Sequence, residues 1–297
     1  MPEPCLERAL GDALARALER ECVEVRALRP LGGGCINQAA RIDTEAGTFF
    51  VKWSAAAPPD LFEREAEGLR ELERAGSGLK IPRVLATHGP EAGRPGFIVM
   101  EYLEPRAVHS QADEEALGRG LAELHKRTAP RFGLASDSYC GATRQPNAWC
   151  ADWPEFYASR RLRPLVESIA KRRGLSAAER SGYARLIARL PELLPTDAPP
   201  ALIHGDLWSG NVLATTRGPA LVDPACAYAE REMEFGITTL FGGLTPRAWS
   251  AYLEAFPLRP GWRERNPLYQ LYHLLNHHLL FGGGYGAQAL QIAQHFS

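Results

Sequence analysis

The chain has 297 residues, of which 45% are apolar and 23% are charged, and its formal net charge is −1. This composition excludes a disordered chain, and the near-zero charge provides no global field to attract nucleic acid or an anionic membrane. The sequence does not open on a basic region followed by an apolar run, and no window has the roughly 18 uninterrupted apolar residues of a membrane span. We therefore expect a cytoplasmic protein with no nucleic-acid and no membrane partner.

Two helices and five strands are predicted in the first hundred residues. The first helix, 5–21, has leucines at four-residue spacing, Leu6, Leu10, Leu14 and Leu18. Strands are predicted over 23–31, 38–43, 48–53, 84–87 and 97–102, and the second helix over 61–75. This sheet and its helices would form a small N-terminal lobe, residues 1–103.

After residue 103 the predicted elements change from mostly strands to mostly helices. Helices are predicted over 114–127, 154–171 and 176–190, and the sequence from 231 onward is again mostly helical. Residues 129–153 carry few regular signals, and short apolar runs at 201–204 and 220–222 flank polar loops. Strands followed by helices indicate an α+β fold of two lobes, in which residues 104–297 form a larger, mainly helical C-terminal lobe.

The strongest functional signal is the polar loop 204–211, with the sequence HGDLWSGN, between two apolar runs. Asp206 and Asn211 lie five positions apart in this loop, and Asp223 follows the next apolar run. Phosphoryl transfer needs a carboxylate to accept the hydroxyl proton, and an amide oxygen with a second carboxylate to hold Mg²⁺. Asp206, Asn211 and Asp223 have the order and spacing of these three groups in a kinase catalytic loop. The alternative for any one of them is a turn or a helix cap, and His204 is interpreted as a structural residue.

A glycine-rich segment and a lysine provide the second signal. The segment 31–37 reads LGGGCIN and lies between two predicted strands, so its backbone could approach phosphate oxygens. The candidate nucleotide contacts in it are Gly33, Gly34, Cys35 and Asn37. Lys52, in the next strand but one, is a candidate for binding the α- and β-phosphates and for pairing with a helix glutamate. Glu65 is the predicted partner, with Glu63 and Glu67 as rivals, and a plain hairpin turn is the alternative for the glycine segment.

The strand that ends the small lobe is a candidate adenine site. Met100, Glu101, Tyr102 and Leu103 run from it into the linker, where backbone N–H and C=O groups could meet the base. An ordinary buried strand would explain the same residues without the other motifs.

With these motifs in place, the sequence resembles the fructosamine-3-kinase and ketosamine-3-kinase family, whose protein-kinase-like fold is shared with aminoglycoside and choline kinases. The resemblance covers the segments 31–37, 62–72, 99–101, 146–149, 204–211, 223–225 and 268–285, together with the strand that holds Lys52. It implies ATP-dependent phosphorylation of the 3-hydroxyl of a ketosamine, such as a fructosamine or ribulosamine adduct of lysine, as protein repair. It also implies that Asp206 is the general base, that Asn211 and Asp223 bind the metal, and that Lys52, paired with Glu65, binds phosphate.

Trp208 and Cys35 leave alternatives open. Trp208 fits either an aromatic contact to the substrate beside Asp206 or a residue that packs the loop. Cys35 resembles the glycine-loop cysteine of the family, where it is either a small residue that fits the loop or a redox switch. We accordingly expect a monomer or a redox-dependent homodimer. The remaining cysteines, with His273, His277 and His278, are interpreted as structural.

Two other functions remain open at this stage. The same residues could serve another small-molecule kinase, acting on an aminoglycoside or choline. They could also belong to a pseudokinase that binds nucleotide without turnover, or to a redox sensor.

Overall fold

The computed structural model describes residues 3–32, 37–91 and 93–297. Its first part holds a five-stranded antiparallel sheet, in the order β1-β2-β3-β5-β4, with two helices. The elements are α1 (Glu3–Ala17), β1 (Val25–Pro30), β2 (Gln38–Thr44), β3 (Gly47–Ser54), α2 (Leu61–Arg74), β4 (Val84–His88) and β5 (Gly96–Glu101). All seven were predicted from the sequence, but α1 ends four residues before the expected position.

The rest of the chain is mainly helical. Its helices are α3 (Gln111–His125), α4 (Trp153–Phe156), α5 (Arg163–Arg172), α6 (Ala177–Leu193), α7 (Glu234–Phe241), α8 (Pro246–Ala255), α9 (Trp262–Phe281) and α10 (Tyr285–Phe296). Its short strands form three antiparallel pairs: β6 (Ser138–Cys140) with β7 (Thr143–Gln145), β8 (Ala201–Ile203) with β11 (Ala227–Ala229), and β9 (Val212–Thr215) with β10 (Gly218–Leu221). The fold is therefore the predicted α+β fold, with an antiparallel sheet in the first part of the chain and a larger, mainly helical second part.

Strand alternation decides which side of the sheet each residue faces. In β5, Phe97 and Val99 pack with α1, whereas Ile98 and Met100 pack with α2. In β3, Val51 also faces α1, so Lys52 projects from the opposite face, towards α2. The sheet thereby turns the only lysine of this strand towards the second lobe.

The linker after β5 is tied to the large lobe by backbone hydrogen bonds. The N–H of Arg106 donates to the carbonyl of Ala214, and the N–H of Thr216 donates to the carbonyl of Glu104. These bonds fix the β9–β10 hairpin directly below the point where the chain leaves the sheet.

Helices α3 and α8 cross at close range because a glycine lies at the contact. A Cβ placed on Gly118 would come within 2.1 Å of the carbonyl oxygen of Ala248. Gly182 of α6 provides the opposite case, since a Cβ there would meet no atom within 4 Å.

The predicted helix over 154–171 is wrong in detail, because a π-helical stretch over Tyr157–Leu162 separates α4 from α5. Pro164 has no N–H, so the carbonyl of Arg160 loses its regular helical donor. The Arg161 guanidinium donates to that carbonyl at 3.1 Å, and to the carbonyl of Pro146 at 2.6 Å. The wider turn thus directs an arginine into the interior, where it orders the segment before α4. The β6–β7 hairpin lies in the same segment, within residues 129–153, for which the sequence predicted no helix or strand.

In the ranges that the model describes, no helix has the length and apolar character needed to cross a bilayer.

Candidate active site

A cleft of about 780 Å³ separates the sheet from the loops of the large lobe. It is lined by every predicted site residue within the described part of the chain: Asn37, Lys52, Glu65, Met100, Glu101, Tyr102, Leu103, Asp206, Trp208, Asn211 and Asp223. Gly33, Gly34 and Cys35 lie outside the described residues. The structure therefore brings together residues that are up to 186 positions apart, from Asn37 to Asp223.

The catalytic-loop candidates follow directly from strand β8. Gly205 has φ +81°, and a Cβ there would lie 2.2 Å from the carbonyl oxygen of Ala225, so only glycine fits this turn. The turn points Asp206 into the cleft. The Asn211 side-chain amide then donates to the Asp206 carbonyl at 2.8 Å and to its carboxylate at 3.2 Å. Asn211 thus holds the carboxylate of Asp206 in place.

A buried glutamate of α7, Glu234, holds this loop by hydrogen bonds. It was not among the residues predicted from the sequence. The Glu234 carboxylate accepts from the backbone N–H of His204 at 2.5 Å and of Gly205 at 2.9 Å. It also lies 3.5 Å from Nε2 of His125, whose Nδ1 is 2.8 Å from the Tyr252 hydroxyl. Burial by itself would raise the pKa of Glu234, but the hydrogen bonds and charge of its partners lower it.

His204 has the structural position that was predicted for it. Its ring is fully buried, with Nε2 2.9 Å from the carbonyl oxygen of Val222, and burial lowers its pKa. It therefore links the catalytic loop to the end of β10.

Lys52 lies between two carboxylates at the top of the cleft. Its Nζ is 2.8 Å from Glu65 Oε1 and 2.8 Å from Asp223 Oδ1. Burial would lower the pKa of Lys52, but the two carboxylates outweigh it and raise the pKa. The helix partner is Glu65, whereas the rivals Glu63 and Glu67 lie 3.1 Å and 2.7 Å from Arg64.

Asp223 has an unusual backbone conformation, with φ +55°. Aspartate tolerates the left-handed region better than most residues, although it remains less favourable than a regular conformation. Because β10 ends at Leu221, this turn directs the Asp223 side chain to Lys52 rather than along the strand. The strained turn therefore places the Asp223 carboxylate beside Lys52 in the cleft.

The pKa of Asp206 is raised to about 7, chiefly by burial and next by the negative charge of Asp223, while the hydrogen bond from Asn211 opposes the rise. A carboxylate whose pKa is near neutrality is well matched to accepting a proton from an alcohol. Burial similarly raises the pKa of Glu65 to about 7, against the opposing effect of Lys52.

Asn211 and Asp223 suit a hard divalent cation. The Asn211 amide nitrogen is committed to Asp206, which leaves the amide oxygen as its available ligand atom. Lys52 occupies Oδ1 of Asp223, which leaves the second carboxylate oxygen. An amide and a carboxylate oxygen are the donors that Mg²⁺ prefers.

The adenine candidates lie at the other end of the cleft. Met100 is buried, and Glu101 is held by Arg217 at 2.6 Å and by a hydrogen bond from its N–H to the Arg83 carbonyl. The side-chain oxygen of Asn37, next to the undescribed glycine segment, is buried without a hydrogen-bond partner among the described residues.

Trp208 lies against the loop and also lines the cleft. A Cβ on Gly210 would lie 2.4 Å from two atoms of the indole ring, so the ring rests directly on this glycine. Trp208 is half-buried. In this position Trp208 can both pack the loop and contact a molecule bound in the cleft, so the two interpretations do not exclude each other.

Comparison with known proteins gives the same family that the motifs indicated. A sequence model described as fructosamine kinase matches residues 10–296. The protein-ribulosamine 3-kinase, chloroplastic, of Oryza sativa subsp. indica is 41% identical over 280 residues, which are 92% of this chain and 80% of the relative. The ketosamine-3-kinase of Mus musculus is 35% identical over 323 residues, with 99% of each chain covered.

Solved structures agree. A Thermobifida fusca protein assigned to fructosamine-3-kinase superposes with a TM-score of 0.83 at 33% identity, over 97% of this chain and 98% of the other. A mutant aminoglycoside phosphotransferase, APH(4)-Ia, shares the fold alone, with a TM-score of 0.58 at 16% identity over 96% and 98% of the two chains. The family model spans nearly the whole chain, and this chain belongs to the fructosamine kinase family.

Proposed function

We propose that this chain transfers the γ-phosphate of ATP to the 3-hydroxyl of a ketosamine, such as a fructosamine or ribulosamine adduct of a lysine side chain. The observation that carries the proposal is the convergence of one ammonium and three oxygen-bearing side chains, Lys52, Asp206, Asn211 and Asp223, on one cleft. Membership of the fructosamine kinase family and the names of the relatives support the choice of acceptor.

Asp206 is the proposed general base. Its carboxylate is held by Asn211, and its raised pKa suits it to take the proton of the acceptor hydroxyl as the bond to phosphorus forms. Because phosphoryl transfer depends mostly on positioning and charge neutralisation, the fixed orientation of this carboxylate matters as much as its basicity.

Lys52 is the proposed contact of the α- and β-phosphates. Glu65 holds the ammonium at 2.8 Å, so the charge keeps one position in the cleft. The raised pKa of Lys52 ensures that the group stays protonated at neutral pH.

Asn211 and Asp223 are the proposed ligands of Mg²⁺. When bound, the ion would neutralise the negative charge of the triphosphate. Both residues lie beside the base, Asn211 through a direct hydrogen bond, so the metal ligands and Asp206 form one connected unit.

The two ends of the cleft are assigned to the two substrates. We place adenine against the linker residues Met100, Glu101, Tyr102 and Leu103, and the sugar near Trp208, next to the base. The boundary between the lobes is placed after Leu103, where the chain leaves β5 and docks on the β9–β10 hairpin.

A substrate panel tests the proposal. The purified protein is incubated with ATP and Mg²⁺, and separately with fructosyl-lysine, ribulosyl-lysine, an aminoglycoside or choline, while ADP release is measured. We expect turnover with a ketosamine and a product that phosphorus NMR identifies as the 3-phosphate. ADP release only with the aminoglycoside or choline would replace the proposed acceptor, and ATP binding without turnover on any alcohol would indicate a pseudokinase.

A further inference from the structure

A second group of polar side chains is buried beneath Asp206, and the proposed phosphoryl transfer does not use it. Cys140 at the end of β6 is 3% exposed, and His273 and Asn276 on α9 are 1% and 2% exposed. The β6–β7 hairpin and the middle of α9 are brought together here, 133 residues apart between Cys140 and His273.

Three of the side chains converge to the spacing of a metal site. The Cys140 sulfur, a carboxylate oxygen of Asp206 and a ring nitrogen of His273 all lie within 4.8 Å of one another. Tetrahedral zinc with bonds of about 2.0–2.3 Å places its ligand atoms about 3.3–3.8 Å apart, so the three atoms need to approach by about 1 Å.

Unpartnered atoms mark the same place. His273 Nδ1 and Asn276 Oδ1 are buried without a hydrogen-bond partner among the described residues. A buried polar atom without a partner is unfavourable, so the lone pairs of these two atoms are available to a bound group. The Asn276 amide also donates to the Cys140 sulfur at 3.3 Å and to its carbonyl at 3.2 Å, which orients the sulfur.

The donor set selects the metal. A sulfur and an imidazole nitrogen favour Zn²⁺ over Mg²⁺, which prefers oxygen ligands throughout. Burial lowers the pKa of His273 to about 3, so the ring is neutral at physiological pH and retains a lone pair for a metal. From the sequence, Cys140 and His273 were interpreted as structural residues, because only the fold brings the hairpin to the helix.

We propose that Cys140, His273 and Asp206 form a Zn²⁺ site that inhibits the enzyme by occupying its general base. On binding, the Cys140 thiol loses its proton to solvent, sulfur and imidazole bond to the metal, and a carboxylate oxygen of Asp206 completes three protein ligands. Water takes the fourth position. The inhibitory consequence rests on the proposed role of Asp206: a carboxylate bound to zinc no longer accepts the proton of the acceptor hydroxyl.

Metal binding is measured first, without reference to activity. The full-length protein is freed of metal with a chelator and titrated with Co²⁺, whose absorption reports sulfur ligation, and Zn²⁺ is then added in competition. We expect one tightly bound ion with a sulfur-to-cobalt charge-transfer band that Zn²⁺ abolishes. Cys140→Ser should remove the band, and both Cys140→Ser and His273→Gln should weaken Zn²⁺ binding at least about tenfold. Cys150→Ser, at a half-buried thiol that contacts the Asp152 carbonyl, is the matched control and should bind as the wild type does.

Inhibition is measured second, with Mg²⁺-ATP and the ketosamine acceptor. We expect Zn²⁺ to inhibit competitively with the acceptor and not with ATP, and the Cys140→Ser enzyme to be at least about tenfold less sensitive. Wild-type zinc affinity in both Cys140→Ser and His273→Gln would overturn the site. Turnover unaffected by bound Zn²⁺ would overturn the inhibition. A cobalt band in a protein without ketosamine turnover would refute the proposed function and leave the metal site standing.

Discussion

The glutamate below the catalytic loop offers a sharp test of how the fold positions the site. Glu234 is fully buried and accepts hydrogen bonds from the backbone N–H groups of His204 and Gly205. Glu234→Gln preserves the shape but replaces one accepting oxygen with an NH₂ group. One charge-assisted hydrogen bond of about 1.5–3 kcal/mol is lost, and a buried donor is left unpaired at about 1–3 kcal/mol.

With both losses taken near the middle of their ranges, we expect the free energy of unfolding to fall by about 3–5 kcal/mol in total. At about 2 °C per kcal/mol for a chain of this size, Tm falls by about 6–10 °C. Displacement of the loop should also lower kcat by about tenfold, with little change in the affinity for ATP. Differential scanning calorimetry and steady-state kinetics measure the two effects. Glu192→Gln, at an exposed carboxylate paired only with Arg189, is the control and should change neither.

The pH dependence of this effect has a definite sign. The folded-state pKa of Glu234 is lowered, so its stabilising contribution is present above the unfolded pKa of about 4.3 and is lost as the pH falls through the folded value. The Tm difference between wild type and Glu234→Gln should be constant near pH 7 and shrink below about pH 4.3. Equal Tm values at pH 7, or a difference that grows on acidification, would refute the reasoning.

Three further substitutions test other parts of the account. Lys52→Met leaves its two carboxylate partners without their cation, so turnover should fall at least about 100-fold and the KM for ATP should rise; unchanged kinetics would contradict a phosphate-binding role. Gly210→Ala should displace the Trp208 ring and raise the KM for the acceptor while that for ATP is unchanged, and equal changes in both would contradict a local role. Gly118→Ala should cost about 1–3 kcal/mol by forcing two helices apart, as measured by denaturant unfolding, whereas Gly182→Ala in an open helical position should add about 0.5–1 kcal/mol; the reverse order would contradict the helix contact.

Local sequence predicted the parts of the site that depend on neighbouring residues. Asp206 and Asn211 belong to one loop, and their relative position depends on the turn at Gly205 and on a single 3₁₀-helical turn over Ser209–Asn211. The alternation of β3 turned Lys52 away from α1, and Glu65 was the predicted partner among three nearby acids. The choice among those acids depends on the rotation of α2 relative to the sheet, which only the packed fold determines.

The unpredicted parts depend on contacts between distant segments. Glu234 reaches the catalytic loop from α7. The sequence around it mixes apolar and acidic residues, and this pattern does not show which carboxylate faces the interior. The π-helical turn follows from the missing N–H of Pro164 together with the burial of Arg161 against the carbonyl of Pro146, and the local pattern does not show this contact with an earlier segment. Three-residue strands such as β6 are too short to show an alternating pattern.

Replacement of the proposed general base, Asp206, tests the central claim most directly. Asp206→Asn preserves the size and the hydrogen bond to the loop but removes the proton acceptor, and Asp197→Asn at an exposed carboxylate is its control. With a ketosamine and Mg²⁺-ATP, the account predicts that turnover by the Asp206 variant falls at least about 100-fold while calorimetric ATP affinity is unchanged. Ketosamine phosphorylation at the wild-type rate in this variant would contradict it.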